Sequence, residues 1–166
     1  MSKPHPVRVR RFAAATLDAA IALVLALAPA TVPVDSQKAR LFGVGLLLAA
    51  LYLLFRDGIP YAEWGARSPA KRLLGIRPYR IAGEPMDLRS SLRRNLTVGG
   101  AVAAVGLASL LGGYRGVAVV GVSVTDLVLY AAAAVLVVEA LLVAVDPVGR
   151  RIGDRLARTR VIEARA

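Results

Sequence analysis

Residues 127–145 read LVLYAAAAVLVVEALLVAV, nineteen residues of which Glu139 alone carries a charge. A helix of this length is about as long as the hydrocarbon core of a bilayer is thick. Three more apolar stretches precede it, Phe12 to Val34, Ala39 to Phe55 and Leu96 to Gly113. The last stretch can be extended back to Val117, but Asp126 divides it, so Val117 to Val124 is read as an exposed or re-entrant segment ahead of the helix. The whole chain is 57% hydrophobic over 166 residues, with a mean hydropathy of +0.59. A soluble domain cannot keep that much apolar surface from water. The sequence therefore predicts an all-α integral membrane protein, a single domain over residues 1–166. It has about four transmembrane helices and a basic cytoplasmic loop between helices 2 and 3.

Charge placement sets the orientation. Of the 22 Lys and Arg residues, four precede the first stretch, nine lie between Arg56 and Arg94, and six follow Asp146. Lys and Arg accumulate on cytoplasmic flanks, which puts both termini and the central loop inside. The net charge of +11 then points to anionic lipid headgroups of the bilayer and not to nucleic acid. Ala28-Pro29-Ala30 resembles a signal-peptide cleavage site, but Asp18 interrupts the apolar run and favours a retained first helix. With no Cys and only His5 among histidines, no disulfide, metal site, cofactor or catalytic residue is expected. An enzyme is the least expected class, for want of a nucleophile–base set.

The central loop carries structural signals of its own. Ser68-Pro69 reads as an N-cap with proline at the first helical position, opening a short basic turn that Gly75 stops. Ile76 to Ile81 alternates as a strand, with a return over Pro85 to Leu88 as a brief hairpin; Asp87 then caps the third helix. Lys71, Arg72, Arg77 and Trp64 are the candidates to meet lipid headgroups at the inner leaflet. Small residues mark packing ridges: Gly100, Ala104, Ala108 and Gly112 in the third helix, Ala22, Ala26 and Ala30 in the first.

Charges inside the apolar layer are the candidate functional residues, because each costs a few kcal/mol there. Asp18 lies seven residues beyond Arg11, about 10 Å deeper along a helix, and Glu139 lies seven residues before Asp146. The first and fourth helices run oppositely, so Asp18 and Glu139 share a depth, as do Arg11 and Asp146. The first two are candidates to bind an ion or proton. Arg11, Arg94, Asp146, Asp154 and Arg155 are candidates for ion pairs, with Asp154 pinning the C-terminal segment to the basic loop through an arginine.

Several of these residues together resemble the RDD family of small bacterial and archaeal membrane proteins, named for an arginine and two aspartates. Arg11 and Asp18 match its opening Arg-x6-Asp. Ser68-Pro69-Ala70-Lys71-Arg72-Leu73-Leu74-Gly75-Ile76-Arg77 is similar to its central motif, followed by Arg93, Arg94 and Asn95. Asp154-Arg155-Leu156-Ala157-Arg158-Thr159 resembles its C-terminal signature. Ala70 and Arg158 stand where members usually carry Gly, and Glu139 lies outside the shared pattern. The resemblance implies a multi-pass protein of the bacterial or archaeal cytoplasmic membrane, and membrane transport such as the cation/proton antiport attributed to a few members. The alternative is a non-catalytic accessory or scaffold subunit. Four helices are few for a conduit, so either reading expects a homo-oligomer or a partner membrane protein.

Overall fold

The computed structural model describes residues 6–32, 38–59, 65–84, 86–111, 118–119, 122–146 and 149–164. Long helices dominate: α1 (Pro6–Leu27), extended by a 3₁₀ turn (Ala28–Thr31), α2 (Lys38–Phe55), α4 (Leu88–Leu110) and α5 (Val124–Val145). Between and after them come short α3 (Pro69–Leu73) and α6 (Ile152–Leu156), and strands β1 (Ile76–Arg80), β2 (Ala118–Val119), β3 (Val122–Ser123) and β4 (Thr159–Glu163). Two stretches, Val7–Thr31 and Asp126–Val145, are long and apolar enough to cross a membrane. That is two among the described residues where the sequence predicts about four. The apolar part of α2 is shorter, Arg40–Phe55, and α4 opens on two turns carrying Arg89, Arg93 and Arg94.

Local signals account for the helix starts. Ser68 accepts a hydrogen bond from Lys71 N and Pro69 opens α3, as the spacing predicts. Gly75, at φ +63, turns the chain into β1. Asp87 accepts from Ser90 N at the start of α4. Ser123 does the same for Asp126 in α5, which begins three residues earlier than Leu127 and places Asp126 in its favourable first turn. Ahead of it, Ala118–Val119 and Val122–Ser123 pair as a small antiparallel hairpin.

The all-α reading needs one further amendment. Residues 86–88 form no returning strand, Pro85 lying outside the described residues; β1 pairs antiparallel with β4, from Ile76 opposite Glu163 to Arg80 opposite Thr159. Asp87 is committed to capping α4, so the local partner is lost, and the C-terminal strand, whose Val161 is buried beside Ile76, supplies the edge. Arg158 enters this strand at φ +50, a left-handed position that favours glycine.

Packing runs α1 on α2, α2 on α4 and α4 on α5. Ala22 and Ala26 of α1 close on Ala49 and Leu53 of α2, in line with the first small-residue ridge. On α4 the contact ridge is Gly99 and Gly106, where an added Cβ meets Leu54 and Leu46 of α2; a Cβ on Gly100 meets only a methyl of its own helix, Leu96, at 3.9 Å, and Ala104 is exposed. One residue turns a helix by about 100°, so the expected ridge of Gly100, Ala104 and Ala108 is one position out of phase; Gly112 lies outside the described residues. The outer faces are apolar, with Leu129, Tyr130, Val137 and Leu141 of α5 exposed, while the most deeply buried large side chains include Arg94, Asn95, Asp18, Asp57 and Asp154. Polar groups inside and apolar groups outside suit a lipid environment.

Candidate functional site

The charged ends of the long helices gather in one layer, where the starts of α1 and α4 meet the ends of α2 and α5. Asp18 of α1 is fully buried. Its carboxylate accepts from the Tyr52 hydroxyl at 2.8 Å and the Ser68 hydroxyl at 2.9 Å, and pairs with Arg56 NH1 at 2.9 Å. Lys71 Nζ stands 3.6 Å away. The Ser68 side chain thus caps α3 and holds Asp18 at once, tying the central loop to α1.

Beside it, Asp57 accepts from Lys71 Nζ at 2.7 Å and lies 3.7 Å from Arg94 NH1. Asp154 of α6 forms the other half of the layer: Arg11 NH2 donates to it at 2.5 Å, and Arg94 Nε approaches to 2.8 Å. Arg94 and Asn95 of α4 join the two halves. Arg94 reaches both Asp57 and Asp154, while Asn95 donates to Asp57 at 3.5 Å and accepts from Arg151 NH2 at 2.5 Å. Glu139 of α5 accepts from the Thr97 hydroxyl at 2.6 Å and lies 3.9 Å from Arg151 Nε. Asp146 sits at the rim, with Arg155 NH2 at 2.8 Å and Arg150 Nε at 3.9 Å.

Electrostatics favour the charged forms of the layer's carboxylates that lie outside the long helices. Burial pushes the Asp57 carboxyl up, but Lys71, Arg94 and Arg56 outweigh it and hold it well below the usual carboxylate range. Asp154 behaves likewise, burial being overcome by Arg94, Arg151 and Arg11. Lys71 moves the other way: burial lowers its ammonium to about 8, although Asp57 opposes the shift. Burial also brings Arg151 down to about 10.

Geometry separates the sequence candidates. Asp18 and Glu139 line one cavity but have different partners, Arg56 for the first and Thr97 with Arg151 for the second. Arg11 goes to Asp154, and Asp146 goes to Arg155. Lys71 requires a correction, because it points inward to Asp57 and Asp18 and is buried, where a headgroup contact needs it outside. Arg72, one residue along the helix, is exposed, as is Arg77. Trp64 lies outside the described residues. Sequence reading missed Arg56 as the partner of Asp18 and Asp57 as that of Lys71, named Asn95 only within the family resemblance, and gave Arg151 no role. A signal existed: Asp57 directly follows the apolar run ending at Phe55, in a segment otherwise rich in Arg and Lys.

Above the charged layer lies a cavity of about 410 Å³ walled by α1, α2, α4 and α5. Among the described residues there is no group of three or more His, Cys, Asp or Glu side chains able to hold a metal ion. No curated protein and no solved structure is significantly similar to the chain. The family described as the RDD family matches residues 6–162, nearly the whole length, and so takes in Arg11, Asp18 and Asp154 together with every element that carries the buried charges. The chain belongs to the RDD family of membrane proteins.

Proposed function

We propose that this protein spans the cytoplasmic membrane of a bacterium or archaeon four times, with α1 retained, and serves as a non-catalytic accessory or binding component. On this reading both termini and the segment between α2 and α4 face the cytoplasm. The concentration of charge at one end of α1, α2, α4 and α5, with apolar side chains outward along their length, supports four passes of alternating direction. A homo-oligomer or a partner membrane protein would occupy the apolar outer faces.

The observation that carries the accessory reading is the condition of Asp18. Its oxygens are already engaged by Arg56, Tyr52 and Ser68, with Lys71 close behind. A carboxylate so engaged acts as a structural tie, and removing its charge leaves Arg56 buried and uncompensated. One contact favours the antiport reading instead. Lys71 sits between Asp57 and Asp18, and losing its proton near pH 8 would leave two carboxylates facing a site that a cation could enter.

Vesicles reconstituted with the wild type and with Asp18→Asn distinguish these readings. The accessory role expects no proton movement on adding Na⁺, K⁺ or Li⁺ between about pH 6 and 9, and an Asp18→Asn protein that assembles poorly. Cation-dependent proton flux in the wild type, abolished in an Asp18→Asn protein that assembles normally, overturns the accessory role in favour of antiport.

A further inference from the structure

The cavity above the charged layer is open on one side. α1 packs on α2, α2 on α4 and α4 on α5, whereas α1 and α5 are not closely packed and face each other across the cavity that both line. Phe12 and Leu23 of α1 and Leu136 of α5 line its interior, yet they are 43%, 57% and 41% exposed. The opening therefore lies between α1 and α5, where Phe12, Leu23 and Leu136 make its rim apolar. Its floor differs sharply from its walls. Arg11, Arg56, Lys71, Arg94 and Arg151 meet Asp18, Asp57, Glu139 and Asp154 there, leaving one cation in excess. Among the described residues, Arg11 NH1 and Arg56 Nε are buried without a hydrogen-bond partner, and both residues line the cavity; Arg151 Nε, also short of a hydrogen bond, has Glu139 Oε2 and Asp154 Oδ1 at 3.9 Å, and Glu139 Oε2 itself has no donor. Buried guanidinium N–H groups without acceptors are costly, and an anionic oxygen is their natural complement.

From this combination we infer that the cavity is a binding site for an anionic lipid of the bilayer, entered sideways between α1 and α5. The acidic headgroup takes the free N–H groups of Arg11 and Arg56. The acyl chain lies against Ala15, Ala19, Ala22 and Leu46 and leaves past Leu23 and Leu136. A volume of about 410 Å³ falls within the range of small-molecule sites, and basic pockets between helices near the cytoplasmic surface select anionic headgroups. Since lipid tails are as apolar as the walls, affinity and selectivity come from the head. The inference rests on the membrane-spanning reading above but not on the choice between accessory protein and antiporter.

The test uses full-length protein in vesicles containing phosphatidylglycerol with a photoreactive group in its acyl chain. Labelling is expected in peptides of α1 and α5, competed by unlabelled phosphatidylglycerol and not by phosphatidylcholine with the same chains. Arginine variants risk misfolding, so the site is blocked without touching charge, by Ala19→Phe and Ala140→Phe, both at exposed positions lining the cavity. Each is expected to cut labelling at least about tenfold, a change of roughly 1.4 kcal/mol, with an unchanged elution profile. Equal competition by phosphatidylcholine, or labelling indifferent to both blocking variants, overturns the proposal. Glycerol phosphate competing as well as the lipid overturns it too, because the anion would then come from solution. Carbonate extraction of the same membranes separates the two failures: protein released by carbonate defeats the spanning reading, whereas protein retained but unlabelled defeats only the lipid site.

Discussion

Asp154 shows how much one side chain carries. It lies on a five-residue helix that could not hold a place by itself, yet it joins Arg11 of α1 to Arg94 of α4 and accepts from the backbone N–H of Arg151. Asp154→Asn leaves two buried guanidinium groups short of charge and is expected to cost about 3 kcal/mol or more, read as a lower thermal midpoint of detergent-solubilised protein. The pH response follows from the same contacts. The folded protein holds Asp154 and Asp57 below the ordinary value of 3.8. The unfolded chain therefore binds more protons in that interval. The stability these groups confer is complete above that value and disappears as pH falls through their folded values. Thermal midpoints measured from about pH 6 down to pH 3 should fall in the wild type and fall less steeply in Asp154→Asn. An equal slope in both would remove Asp154 from the acid response. Helix rise is fixed, so spacing alone suggests that Asp18 and Glu139 stand near each other, and both line one cavity. Which cation each would meet could not be read from spacing, since Arg and Lys side chains are long enough to choose among several carboxylates.

At the level of elements, the caps are the most legible feature. Ser68, Asp87 and Gly75 act within a few residues of their own position, so local sequence suffices to place them. The partner of β1 is another matter, because any short alternating strand satisfies its edge, and the one it uses begins at Thr159. Helix facing is equally hard to read in a membrane, where small residues on every side of α4 look alike without the contrast of a polar surface. The structure makes a testable distinction here. A Cβ on Gly153 runs into the carbonyl of Arg94, whereas a Cβ on Gly100 meets nothing closer than a Leu96 methyl at 3.9 Å. Gly153→Ala should therefore lift α6 from α4, break the Asp154 pairs and destabilise the fold by about 3 kcal/mol. Gly100→Ala should be neutral or slightly stabilising through helix propensity. Thermal midpoints of the two variants side by side check this, and a large loss in Gly100→Ala would restore the ridge read from sequence.

For the molecule as a whole, composition sufficed to indicate a membrane protein, since no packing arrangement hides so many apolar side chains from water in a chain this short. The number of crossings is less legible from helix lengths, because α2 is short and α4 begins in charge. The absence of native cysteine makes the topology directly measurable. Cysteine placed singly at exposed Val32, Ala82 or Arg158 and probed on intact cells with an impermeant maleimide should label only at position 32. Positions 82 and 158 should react after permeabilisation, and labelling of all three from outside would defeat the four-pass arrangement. The separation of partners along the chain also bears on biosynthesis. Arg11 and Asp154 are 143 residues apart, so on the proposed topology α1 emerges from the ribosome and enters the bilayer long before its ion-pair partner has been translated. Asp18 meets Ser68 only after a further 50 residues. A nascent chain halted ahead of α6 thus carries unneutralised charge at the base of the bundle, and translation of the last signature aspartate becomes the step at which insertion turns into assembly.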